Sequence, residues 1–222
     1  TGEPRKFLEA VQGGMSVGTP GLLMILKQAH EKYGKLPWPE LFTPAIELAS
    51  QGFAIDRRTS ILAEKIPYLK KFRQSRQLYY NKTAGTIIKN PELAATFKII
   101  AKEGIKPFYN GKIANDIAKA VRYSKVNPGL LSINDLKNYR SKVGDLVCSK
   151  YKKYKVCSMP PPSSGGITLL QILSILENFN LKSYRPNSTK FVHLVAEATK
   201  IAYADRNEYI ADVKDVPVTQ ML

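Results

Sequence analysis

The sequence predicts an α+β chain, mainly α-helical with one β-hairpin near residues 145–158, and three observations carry that prediction. Stretches with capping residues and apolar positions at helical spacing recur along the chain. One pair of alternating runs flanks Lys152 and Lys153. The segment Gly166 to Glu177 is apolar on almost every side, the pattern of a helix buried inside a larger body. With 222 residues and 44% hydrophobic content the chain can bury a sizeable core. No internal repeat and no long polar linker interrupts it, so residues 1–222 read as a single domain.

The helices are predicted in order. Gly18-Thr-Pro20 opens a pattern from Gly21 to Tyr33, which Gly34 stops. Pro37 to Gly52 reads as proline-started helical turns closed by a second glycine. Asn90 caps a helix with Pro91 at its first position and Leu93, Phe97, Ile100 and Ala101 inward, and Gly104 ends it. Ile113 to Tyr123 places Ile113, Ile117 and Ala120 or Val121 on one face, and Ser132-Ile-Asn-Asp135 resembles a capping box for a short helix through Tyr139. After the hairpin and the apolar helix, Ser188 starts an amphipathic segment from Thr189 to about Ile210. Its inward stripe is Phe191, Val192, Val195, Ala198, Ala202 and Tyr209.

In the hairpin, a two-residue Lys152-Lys153 loop pairs Tyr151 with Tyr154, Ser149 with Val156 and Cys148 with Cys157. Counting outward puts the cysteines in a non-hydrogen-bonded pair, where Cα atoms approach to about 4.5 Å, within disulfide range. The alternative is two free, half-buried thiols, because Lys-Lys lacks the Gly or Asn that such a turn favours and the register can slip. A bridge would require an oxidising compartment.

Composition excludes several function classes. The charged residues are spread along the chain, which argues against disorder. No apolar run is long enough to span a bilayer, so no transmembrane segment is expected. The net charge of +16 attracts anions at long range, yet the lysines come as pairs, with no zinc-finger or RNA-binding signature, so nucleic acid is not an expected partner. Neither phosphate-loop pattern occurs. A start without methionine and an end without a cap read as cuts, leaving room for a targeting segment upstream.

The most distinctive string is Ser158-Met-Pro-Pro-Pro-Ser-Ser-Gly-Gly166. Prolines hold an extended backbone without donors, and Ser163, Ser164, Gly165 and Gly166 then present backbone N–H groups at a helix N-terminus, an end that attracts carboxylates. One reading is the wall of a ligand cleft that contacts a carboxylate or an amide carbonyl; the other is a turn in which Ser163 or Ser164 caps the helix. A serine nucleophile would need a base, and the two histidines, His30 and His193, both read as surface or packing residues. Asp205, Arg206 and Glu208 concentrate charge on a half-buried helix. They read either as an intrachain clamp or as groups for ligand binding and acid–base work.

Five strings taken together resemble the γ-glutamyltransferase (γ-glutamyltranspeptidase) family: Ser16 to Gly21, His30 to Trp38, Pro44 to Ala49, Met159 to Gly166, and Ala202 to Tyr209, all in family order. The resemblance implies an internal portion of the large subunit of a self-cleaving precursor with an αββα N-terminal-nucleophile hydrolase fold. Such an enzyme transfers or hydrolyses the γ-glutamyl groups of glutathione-like substrates, without a cofactor or metal. It also implies a small subunit of the same precursor as partner, and a periplasmic, secreted or cell-surface location. The family's nucleophile is the threonine that opens a Thr-Thr-His motif, and its carboxylate-gripping arginine lies in an Arg-Glu motif. Neither motif occurs here, so no catalytic residue is assigned and the chain alone is expected to be inactive. Ser163, Ser164, Gly165 and Gly166 remain as candidate substrate-binding residues, and Cys148 with Cys157 as a candidate disulfide. Asn81-Lys-Thr83 and Asn187-Ser-Thr189 match the glycosylation pattern. The rival reading is a noncatalytic basic binding protein derived from the same scaffold.

Overall fold

The computed structural model describes residues 5–213 and 216–222. Its contacts gather into two compact units, Thr1–Ser141 and Lys142–Leu222, where the sequence shows no break in composition and reads as one domain.

Among the described residues the first unit carries nine helices: α1 (Phe7–Ala10), α2 (Leu22–Tyr33), α3 (Thr43–Gln51), α4 (Arg57–Lys65), α5 (Arg73–Tyr79), α6 (Pro91–Glu103), α7 (Lys106–Tyr109), α8 (Lys112–Arg122) and α9 (Ile133–Asn138). A small antiparallel ladder joins β1 (Phe53–Ala54) to β2 (Ile87–Ile88). The second unit holds β3 (Val147–Tyr151), β4 (Tyr154–Ser158), α10 (Gly165–Glu177), α11 (Thr189–Tyr209) and α12 (Val218–Met221).

Local chemistry explains the boundaries. Asn90 Oδ1 accepts the Leu93 N–H at 3.0 Å, Pro91 occupies the first turn of α6, and Gly104 ends it. Ser132 and Asp135 complete the predicted capping box of α9: Ser132 Oγ accepts the Asp135 N–H at 3.2 Å and Asp135 Oδ2 accepts the Ser132 N–H at 2.8 Å. The Ser132 hydroxyl also donates to Asp135 Oδ2 at 2.7 Å, and this bond together with that from the Ser132 N–H holds the Asp135 carboxyl below its ordinary range. Gly52 closes α3 at φ 96°, a left-handed conformation in which a Cβ would also collide with Ile87.

The core of the first unit forms around α8. Ala114, Ala118, Tyr109 and Leu136 are buried together, with Leu23, Met24, Ile117 and Tyr139 packed against them. The Tyr109 hydroxyl donates to Pro20 O at 2.7 Å and accepts the Met24 N–H at 3.1 Å, which ties the start of α2 to α7. Burial pushes this hydroxyl above the usual tyrosine range, with the Met24 N–H opposing. The stripe predicted for α8 holds in part: Ile117 packs on this core and Val121 is buried, Ala120 is exposed, and Ala114 and Ala118, outside the predicted stripe, also face inward. Small side chains there let Tyr109 and Leu136 approach closely. Trp38 anchors the 3₁₀ turn Trp38–Phe42 by donating its indole N–H to Ile100 O at 3.1 Å.

In the second unit the hairpin has the predicted register, with Tyr151 opposite Tyr154, Ser149 opposite Val156 and Cys148 opposite Cys157. Cys148 and Cys157 are bonded to each other, their Cα atoms 4.1 Å apart. Lys152 takes φ 53°, which costs a non-glycine residue about 1 kcal/mol. Its N–H donates to Glu177 Oε1 at 2.6 Å, so the turn is held by the end of α10. The hairpin and α11 both pack on α10, burying Ile167, Leu170 and Leu176. The stripe expected on α11 is only partly inward. Ala198 and Ala202 are buried, whereas Val192 and Tyr209 are exposed, because α11 meets α10 through its small residues.

Candidate functional site

The site is built where β4 ends. After Ser158 the chain turns through Met159 to Ser163, with the Ser163 N–H donating to Pro160 O at 3.2 Å, and α10 starts at Gly165. Gly166 is packed so closely that a Cβ would lie 2.2 Å from Met159 O, which makes glycine obligatory there. Gly165 faces open space and Ser163 is exposed.

Ser164 holds the N-cap position in a helical conformation, and no side chain caps α10. The simple capping role open to Ser163 or Ser164 is therefore not the one observed. Instead, Ser164 Oγ accepts from Arg206 Nε at 3.0 Å, while Ser164 O accepts the Thr168 N–H at 3.1 Å and the Thr168 hydroxyl at 2.9 Å. Thr168 N–H makes the first intrahelical bond of α10, so the N–H groups ahead of it have no helical partner and point toward the turn. The macrodipole of a 13-residue helix adds a partial positive charge at this end.

A second polar pair supports the first. Gln171 Nε2 donates to Asp205 Oδ2 at 2.8 Å, and the Arg206 guanidinium also donates to Asn207 Oδ1 at 2.8 Å and lies 5.5 Å over the Tyr203 ring. Asp205 and Arg206 thus act as a clamp between α11 and α10, the intrachain alternative among the sequence readings. Glu208 is exposed. Thr168 and Gln171, both buried, were missed by sequence reasoning; their signal is that they interrupt an otherwise apolar helix.

In the first unit, His30 Nε2 lies 2.7 Å from Leu36 O and its ring meets the Trp38 edge at 5.3 Å. His193 is exposed on α11, thirteen residues before Arg206, a separation of about 20 Å along a helix. Among the described residues no group of His, Cys, Asp and Glu could hold a metal, and no helix is long and apolar enough to cross a membrane.

The arrangement offers an ordered hydroxyl, free backbone N–H groups and a guanidinium at one helix end, equipment for holding a carboxylate or a carbonyl oxygen. Among the described residues the Ser164 hydroxyl is paired with Arg206, a cation and not a base.

Comparison with known proteins agrees with the strings singled out in the sequence. The family description Gamma-glutamyltranspeptidase matches residues 3–222. The Glutathione hydrolase proenzyme of Bacillus subtilis (strain 168) is 37% identical over 98% of this chain and 37% of its own length. The protein of the same name from Escherichia coli (strain K12) is 36% identical over 92% of this chain and 36% of its own length. The crystal structure of Helicobacter pylori gamma-Glutamyltranspeptidase superposes with a TM-score of 0.86 at 32% identity, covering 97% of this chain and 63% of that one. The chain thus spans little more than a third of the curated relatives it matches. The described residues, mostly helical with two small antiparallel pairings, are consistent with a segment of the N-terminal-nucleophile hydrolase fold of such γ-glutamyltranspeptidases. The chain belongs to the γ-glutamyltranspeptidase family.

Proposed function

We propose that this chain is the large-subunit portion of a γ-glutamyltransferase or glutathione hydrolase, active only when completed by a small subunit of the same precursor in an αββα body. The observation that supports this most strongly is the family match across residues 3–222 together with a backbone that follows a solved γ-glutamyltranspeptidase at a TM-score of 0.86. In this reading the nucleophile is a threonine at the amino terminus of the small subunit, outside this chain. Its hydroxyl attacks the γ-amide carbonyl, its free α-amine takes the proton, and the acyl-enzyme passes the glutamyl group to water or to an amine. Glutathione and other γ-glutamyl compounds are the substrates, and the bonded Cys148 and Cys157 agree with a periplasmic, secreted or cell-surface setting.

The proposed contribution of this chain to the cleft is the start of α10, where Ser163, Ser164, Gly165 and Gly166 contact a carboxylate or an amide carbonyl of the substrate. Arg206 fixes the Ser164 hydroxyl, and Gly165 leaves room for a ligand. Replacing Ser163 and Ser164 by alanine in the complete enzyme is expected to raise KM, with a stability loss of about 1 kcal/mol from the Arg206 bond; unchanged kinetics would remove this assignment. The wider proposal is tested by the intact mass of the protein from its source under denaturing, non-reducing conditions. Two polypeptides are expected, one containing this sequence and the other opening with threonine, and a single uncleaved polypeptide would overturn the reading.

A further inference from the structure

A second feature, in the first unit, is independent of the reading above. A cavity of about 520 Å³ is lined by Lys71, Arg73 and Lys125, by the polar side chains of Gln74 and Ser124, and by an apolar wall that includes Phe72. Among the described residues no carboxylate lines it. Lys71 donates to Gln12 Oε1 at 3.0 Å, a neutral acceptor that leaves its charge uncompensated. Among the described residues, none of the three cations is in an ion pair; the ion pairs found there involve Lys27, Lys112 and Lys200.

The surroundings strengthen the field in this cavity. Between Arg57 and Lys82 the chain carries eight cations against the single carboxylate Glu64, and Arg57, Arg58, Lys65, Lys70, Lys71, Arg73 and Arg76 are all exposed. A concave site with one sign of charge and low-dielectric walls focuses potential more than a flat surface does. Three cations lining one cavity suit a ligand with about two negative charges and several acceptor oxygens, and a phosphate monoester has both. Arg73 can meet two of those oxygens with its planar fork. The wall formed by Val17, Phe72 and Val121 suits an apolar group esterified to that phosphate.

We propose that this cavity binds a small organic phosphate, with Lys71, Arg73 and Lys125 holding the dianion and Phe72 facing its organic group. The test is calorimetric titration of the full chain with phenyl phosphate and with inorganic phosphate at physiological ionic strength. Saturable binding is expected, tighter for phenyl phosphate. The double variant Lys71→Ala with Arg73→Ala is expected to weaken it about tenfold or more, as the loss of charge-assisted hydrogen bonds implies. A control double variant, Lys112→Ala with Lys200→Ala, removes the same net charge elsewhere and is expected to leave binding unchanged, with circular dichroism establishing that each variant is folded. An equal loss in the control variant would assign the effect to diffuse surface charge and overturn the proposal. Equal affinity for the two ligands, or no saturable binding, would overturn it as well.

Discussion

Helices α2 and α10 are nearly equal in length, 12 and 13 residues, and both are rich in Leu and Ile, yet they have opposite fates. α10 buries Gly166, Ile167, Thr168, Leu170, Gln171 and Leu176 between the disulfide-bonded hairpin and α11. α2 buries no residue, and Leu22, Ile25, Leu26 and Tyr33 are 69%, 53%, 49% and 72% exposed along one helical face. An apolar run therefore announces that a helix needs cover without saying whether the same chain supplies it. α10 reads in the sequence as a helix that needs company from a larger body, and it finds much of that company within the second unit. The outer stripe of α2 has none among the described residues.

Truncating side chains on the two helices is the strongest way to break this comparison. Leu170→Ala removes a side chain only 1% exposed and is expected to cost about 3 kcal/mol in urea unfolding. Ile25→Ala on the open face of α2 is expected to cost less than about 1 kcal/mol in the same chain. Equal losses would mean that the stripe on α2 is covered in solution. Removing the bridge by Cys148→Ser with Cys157→Ser frees a loop with a sequence separation of 9. This is expected to cost about 2.5 kcal/mol from chain entropy and to loosen the hairpin that covers α10; an unchanged unfolding midpoint would show that α10 and α11 hold the unit by themselves.

The smallest effect concerns α9, in the same unit as α2. The Asp135 carboxyl is lowered by its bonds from Ser132, so its contribution is present above the ordinary carboxylate range and is lost as pH falls through the folded value. Asp135→Asn is expected to flatten part of the acid limb of a stability profile recorded by circular dichroism. A parallel profile would show that the capping box carries no measurable share.

Much of the local structure was legible because caps and turns are local chemistry. Asn90 with Pro91, the Ser132 and Asp135 box, and the hairpin register with Cys148 opposite Cys157 each depend on residues a few positions apart. The facing of α8 and α11 was less legible, because periodicity does not show that alanines make the closest contacts. The pairing of Phe53 with Ile88 left no signal, since a two-residue strand is too short to alternate. At the candidate site, Ser163 to Gly166 stood out by composition. The Arg206 bond to Ser164 did not, because it spans 42 residues and depends on how two helices dock.

The central claim is that this chain contributes scaffold and part of a cleft to a γ-glutamyl enzyme whose nucleophile lies elsewhere. The most direct measurement is release of p-nitroaniline from γ-glutamyl-p-nitroanilide by the 222-residue chain alone and by the complete precursor that contains it. The account predicts no release by the chain alone and release by the matured precursor; release by the chain alone, or none by the matured precursor, would contradict it.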